Sequence, residues 1–342
     1  MEYKIETDDI SQGQWHKYAS RFADYSIYQT FPYQQIRADD ERQLLKRVVI
    51  KGDGNIILMG QVRIKQLPAI KLKIGYVQFG PLISNNSRLD SVAGALDQLR
   101  IVMFRSGINI LRIVPNVKND DFGREFVKIL NQTGFASVRA TKPYQTIIVS
   151  LREDEQTIFR KITKDTRRLI RKSQKQAVEV KQGTSVYLFE VLESIYLKLK
   201  IRKKIEGIDS SQFKETQDRL PEDQKPQILI VYVGDEPVTA LATSHFGKTA
   251  VPIIMANSEL GLKYSYSYLL FWLAFTNAKR AGMDFYDMGG IDEIQNPKGF
   301  VFKNKFGGDK ISYIGAFEAS SSHVLSSGLH FMEKSYRFIK KV

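Results

Sequence analysis

The chain has 342 residues, 43% hydrophobic and 26% charged, which fits a folded soluble protein, excludes a disordered one and leaves room for two domains. It has no cysteine, which excludes disulfides, thiolate metal sites and a cysteine nucleophile. With 51 basic against 37 acidic residues the formal charge is +14, which favours an anionic partner such as nucleic acid, a nucleotide-linked substrate or an acidic membrane surface.

The N-terminal Met1 to Asp9 is acidic and lacks the apolar stretch of a signal peptide. The most apolar helix candidate, 268–278, is too short to cross a bilayer, so a cytoplasmic protein is expected. Tyr28 to Arg37 reads as the start of a helix, with Thr30 as cap and Pro32 in the first turn. A hairpin follows, 48–51 and 56–59 around Gly52-Asp53-Gly54, then a strand at 72–79 and an amphipathic helix at 88–105. Gly107 is placed to stop that helix in left-handed geometry, and a strand at 110–114 comes next.

After a strand at 145–151 the chain turns helical. Phe159, Ile162, Leu169 and Ile170 recur at helical spacing. The opposite face carries Arg160, Lys161, Lys164, Arg167, Arg168, Arg171, Lys172 and Lys175 against one acid, Asp165, so internal pairing cannot neutralise it. Phosphates are the natural partner of Arg167, Arg168, Arg171 and Lys172. A second basic cluster, Lys198 to Lys204, ends the helix that begins near Ser185.

The first pattern then repeats. A hairpin at 228–233 and 238–243 precedes a strand at 249–255, a helix at 266–280, a helix-stopping Gly282 and a strand at 285–288. The common order predicts two copies of one mixed α/β unit. The predicted domains are 1–151 plus 315–342, and 152–314. The end, Ser322 to Lys341, reads as an amphipathic helix with a basic end, fit to pack back on the first domain or to lie on a membrane surface.

The richest stretch is Tyr286-Asp287-Met288-Gly289-Gly290, followed by Gly299 to Gly308 with Phe302, Lys303, Lys305 and Phe306. Glycines allow a tight turn and close approach, and a lysine beside them can face developing negative charge. Other chemistries find no support. The histidines, His16, His245, His323 and His330, lack paired ligand spacing, and neither a phosphate-cradling glycine loop nor a nucleophile elbow occurs. No metal or cofactor is expected.

Four stretches together make the chain resemble the FemAB-like family of peptidoglycan bridge-forming aminoacyltransferases, within the GNAT superfamily. They are Gln29-Thr30-x-x-Tyr33, Gly80-Pro81, Thr166 to Lys172 with the downstream Arg202, and Tyr286 to Gly308. The resemblance implies two tandem GNAT-like domains, each a mixed twisted sheet flanked by helices, with a substrate groove at or near their junction. It implies transfer of an amino acid from aminoacyl-tRNA to an amine of a nucleotide- or lipid-linked cell-envelope precursor. Lys303 then stabilises the charge that develops in acyl transfer. Arg37 and Arg202 map onto the residues that hold the precursor's phosphates. Phe302, Tyr286, Asp287, Gly289 and Gly290 complete the expected substrate contacts, with Asp287 a conceivable base. The chain departs from the family where Phe79 replaces the arginine of Arg-Gly-Pro and Tyr33 a tryptophan, and it lacks a coiled-coil arm.

Two other readings stay open. An acyl-CoA-dependent N-acyltransferase acting on a sugar nucleotide or polysaccharide precursor would need a pyrophosphate turn, for which the chain offers only Glu259-Leu260-Gly261-Leu262-Lys263. A non-catalytic nucleic-acid-binding protein would explain the charge and leave the Phe302-Lys303 region as packing.

Overall fold

A computed structural model of the protein describes residues 2–68, 71–138, 141–176 and 178–322. The chain divides into two compact units, one formed by Met1–Tyr144 with the described part of Ser312–Val342, the other by Gln145–Ile311.

In the first unit, β1 (Tyr3–Thr7) precedes α1 (Gln12–Ala19) and α2 (Phe31–Asp40). Thr30 does stand at the cap of α2, with proline in the first turn, but its hydroxyl donates to the Ile27 carbonyl at 2.8 Å. A long hairpin of β2 (Leu44–Gly52) and β3 (Asn55–Leu67) turns at Asp53-Gly54, where both residues have positive φ as a two-residue hairpin turn requires. Next come β4 (Leu72–Val77), β5 (Leu82–Ile83), α3 (Leu89–Arg105), β6 (Ile110–Ile113), α4 (Asp121–Gln132) and β7 (Ala136–Ser137). The β6 strand runs parallel to β4, so α3 is the crossover between them. Its buried face, Val92, Leu96, Leu99 and Met103, packs on Val48, Ile50, Leu58 and Leu111 of the sheet.

The second unit opens with β8 (Gln145–Ser150), then α5 (Glu155–Lys161), α6 (Lys164–Gln174), β9 (Glu179–Gly183), α7 (Val186–Lys203) and α8 (Ser210–Arg219). The hairpin of β10 (Gln227–Val233) and β11 (Glu236–Phe246), then β12 (Thr249–Asn257), α9 (Glu259–Tyr264), α10 (Tyr266–Arg280) and β13 (Phe285–Asp287), repeats the first unit's order. Here β13 lies parallel to β12, as β6 lies parallel to β4. The unit ends with α11 (Pro297–Asn304) and β14 (Asp309–Ser312). Its seven-stranded sheet has the order β14-β8-β13-β12-β11-β10-β9. The chain then returns as β15 (Phe317–Ser320), which joins the first sheet between β6 and β7.

The predicted duplication is therefore present in strand order and in the sense of pairing. The predicted boundary after residue 151 needs correction. The β8 strand pairs antiparallel with β13, Tyr286 opposite Val149, and so belongs to the second unit. Its four buried residues, Thr146 to Val149, supply a strand that the second sheet would otherwise lack. The chain re-enters the first unit at Ser312, slightly before the expected residue 315. The amphipathic helix read at 322–341 lies outside the described residues, apart from Ser322.

Candidate active site

The end of β13 and the end of α11 meet in the second unit. Asn296 caps α11 by accepting the Gly299 N–H at 3.0 Å, and Pro297 occupies its first turn. This short helix is anchored by aromatic packing. The ring of Phe302 lies 4.9 Å from that of Tyr268 and 5.5 Å from that of Phe271, and fully buried Phe306 packs against Phe271 and Phe275 of α10. With Phe302 turned into this cluster, the next side chain, Lys303, points back to the glycine pair.

The Lys303 ammonium donates to the carbonyls of Gly289 at 3.0 Å and Gly290 at 2.7 Å. It has three N–H donors, so one remains for an incoming oxygen. Burial holds its pKa below the ordinary lysine value, against the opposing pull of the Asp287 carboxylate. A cation so placed, partly desolvated and already oriented, interacts with a developing oxyanion more strongly than one in bulk water.

Asp287 is buried and engaged. Its carboxylate accepts from the Gly289 N–H at 2.6 Å and from the Thr146 hydroxyl, which also lies 3.0 Å from the Gly289 carbonyl oxygen. Asp287 and Thr146 thus hold the turn in which Gly289, with φ +77°, presents its carbonyl to Lys303. In that arrangement Asp287 Oδ1 holds the turn. Thr146 carries no mark in the sequence, because only the pairing of β8 with β13 brings it here.

Tyr286, expected among the substrate contacts, is corrected to a core residue. It is fully buried, its hydroxyl lies 3.1 Å from the Thr243 hydroxyl, and its ring packs on Phe271 and Phe275. The second glycine pair also has a structural reason. A Cβ on Gly307 would overlap the Lys161 carbonyl, and one on Gly308 would crowd the Ile148 carbonyl. Those glycines admit the protein's own backbone. The same turn accepts a hydrogen bond from the Thr163 N–H to the Lys305 carbonyl at 3.0 Å, which ties it to the start of α6.

The remaining predicted residues stand elsewhere. On α6, Lys164, Arg167, Arg168, Arg171, Lys172 and Lys175 line one shallow surface. Asp165 offers only a loose 3.6 Å pair to Arg168, while Arg171 lies over the Phe159 ring. Arg202, near the end of α7, donates to the Asn257 carbonyl at 2.9 Å and shares a cavity of about 610 Å³ with Lys198 and Lys263. Arg37 sits on α2 in the first unit, in contact with Tyr33 and paired with Glu41, whose other oxygen receives Arg63 at 2.9 Å. Its charge is therefore partly compensated.

No sequence motif marks a cavity of about 380 Å³ in the first unit, lined by Tyr76, Phe79, Arg112, Lys142, Tyr144 and Tyr313. Phe79 stacks on Tyr28 with centroids 4.7 Å apart and meets the Tyr144 ring edge-on at 5.7 Å. The residue that replaces the family's arginine is thus a wall of this aromatic chamber. The glycine of the proposed CoA turn, Gly261, is close-packed: a Cβ there would overlap Thr239 and the Val238 carbonyl. It lets α9 lie against β11.

Among the described residues no group of three acidic or histidine side chains is set to hold a metal ion, and no helix is long and apolar enough to cross a membrane.

Residues 233–334 match the FemAB family. A lipid II:glycine glycyltransferase of Staphylococcus haemolyticus is 26% identical over 204 residues, which are 56% of this chain and 47% of that one. The chain thus spans about half the length of this curated relative. The crystal structure of FemX superposes with a TM-score of 0.84 at 14% identity, over 95% of this chain and 100% of that one. A tandem GNAT protein from the clavulanic acid biosynthesis pathway gives a TM-score of 0.53 at 11% identity, over 94% and 99% of the two chains. The repeated hairpin, crossover helix and parallel strand accordingly form two units of GNAT-like fold, and the match over residues 233–334 is a likeness to the FemAB family.

Proposed function

We propose that the protein is an acyltransferase that moves an amino acid from aminoacyl-tRNA to an amine of a peptidoglycan or related cell-envelope precursor. The observation that carries this reading is the Lys303 ammonium, fixed by two carbonyls with one N–H to spare. The acceptor amine attacks the ester carbonyl and forms a C–N bond. The resulting oxyanion takes the spare N–H of Lys303. The C–O bond to the tRNA ribose then breaks, the ribose hydroxyl leaves with a proton, and the nitrogen loses one, leaving an amide. The glycyltransferase relative acts, by its name, on lipid II, which supports a lipid-linked acceptor. Arg202, beside Lys198 and Lys263, suits that acceptor's phosphates, and Arg37 is the second candidate. The uncompensated face of α6 suits the tRNA backbone. A tRNA donor places the reaction in the cytoplasm.

The test is consumption of charged tRNA. Labelled aminoacyl-tRNA should be discharged only when an amine-bearing precursor is supplied, with the label found on that precursor by mass spectrometry. Discharge that needs no amine, or saturable CoA binding by calorimetry without tRNA binding, would overturn this reading in favour of hydrolysis or of an acyl-CoA donor.

A further inference from the structure

The end of α7 exposes apolar side chains that a folded domain ordinarily covers. The helix buries Leu192, Ile195, Tyr196 and Leu199, while Leu197 and Ile201, one turn apart on the outer face, are 46% and 78% exposed. The chain continues into a loop in which Ile205 is 46% and Ile208 39% exposed. Scattered surface hydrophobes are normal; four large ones within twelve residues are a patch.

The loop is built to hold them outward. The Tyr196 hydroxyl accepts the Ile208 N–H at 2.8 Å and donates to the Ile208 carbonyl at 3.3 Å. Gly207 has φ +64°, and a Cβ there would overlap that hydroxyl. The isoleucines are therefore displayed on a fixed turn.

Around them stand Lys198, Lys200, Arg202, Lys203 and Lys204, with Glu206 as the one acid between Leu197 and Ile208. Among the described residues no ion pair neutralises these five cations. A helix C-terminus attracts basic residues through its dipole, which accounts for charge but not for exposed isoleucines. Nucleic acid would likewise explain the charge alone. A second copy of the chain would cover the isoleucines only by bringing the two cationic clusters together. Apolar side chains ringed by cations match one partner on both counts, a bilayer surface with anionic headgroups.

We propose that the α7 end and the 204–208 loop dock the protein on an anionic lipid surface, with Leu197, Ile201, Ile205 and Ile208 entering the interface and Lys200, Lys203 and Lys204 meeting the phosphates. This rests on the surface alone and holds whichever acyl donor the enzyme uses.

The experiment is co-sedimentation of the full chain with phosphatidylglycerol/phosphatidylcholine vesicles and with vesicles of phosphatidylcholine alone. Binding is expected only to the former. Ile201→Ser with Ile205→Ser should weaken it about 10-fold or more, and Lys203→Gln with Lys204→Gln comparably, with unchanged thermal melts. Arg168→Gln with Lys172→Gln, on α6, should leave vesicle binding intact. The proposal fails if the isoleucine variant sediments like the parent, if binding follows α6 instead, or if neutral vesicles bind equally. It also fails if no vesicle binds and the isoleucine variant only dissociates a dimer in sedimentation velocity. RNA binding without vesicle binding overturns it as well.

Discussion

The two GNAT-like units differ at one corresponding place. In the second, β13 ends in Gly289-Gly290, and α11 returns a lysine to their carbonyls. In the first, β6 leads into Val114-Pro115-Asn116, and the cation nearby, Arg112, is spent on Glu318 at 2.6 Å beneath the aromatic cavity. Both pair members are nearly buried, with side chains 12% and 4% exposed. One copy has thus kept its cation for its own structure, while the other holds a cation with an unfilled donor. A duplicated backbone fixes where strand ends fall, and the side chains placed there decide which end offers an unfilled donor.

On that contrast, Arg112→Met should be costly to stability and Lys303→Ala should not. Stranding the buried Glu318 carboxylate is expected to lower unfolding free energy by about 3–5 kcal/mol, read from denaturant melts. Lys303→Ala should leave the melt near that of the parent and reduce turnover about 100-fold, near 2.7 kcal/mol of barrier. Unchanged turnover would remove Lys303 from the mechanism. Because burial lowers the Lys303 pKa, its ammonium is lost at lower pH than an ordinary lysine's. The pH–rate profile should accordingly fall on its alkaline side, and Lys303→Arg should carry that fall to higher pH.

The glycines sharpen the same contrast on a smaller scale. Gly307→Ala should destabilise by about 1–3 kcal/mol, because positive φ and overlap with Lys161 act together. Gly234→Ala, at the β10–β11 turn with open space around it, should cost only about 1 kcal/mol from φ alone. The smallest effect concerns the first unit. Asp24 is partly buried, accepts the Ile83 N–H at 3.0 Å, and desolvation pushes its pKa up to about 7. The folded state therefore binds this proton more tightly than the unfolded state, and stability is lost as pH rises from about 4 towards 7. Asp24→Asn should raise Tm at pH 8 and leave it near the parent's at pH 4.

Much of the architecture was written in local pattern. The two hairpins, the helices ending before Gly107 and Gly282, and the strands after them follow from hydrophobic period and turn chemistry, which act over a few residues. Lys303 was legible for the same reason, since its glycines and flanking phenylalanines are near neighbours in sequence. Tertiary pairing decided the rest. Only the strand partnership of 145–150 with 285–287 moved the domain boundary, brought Thr146 to Asp287 and buried Tyr286. The aromatic chamber likewise gathers Tyr76, Arg112, Tyr144 and Tyr313 from separate strands and loops. Periodicity reports which face of an element is apolar, but it carries no record of which distant element covers that face, and this pairing determined what each candidate residue was free to do.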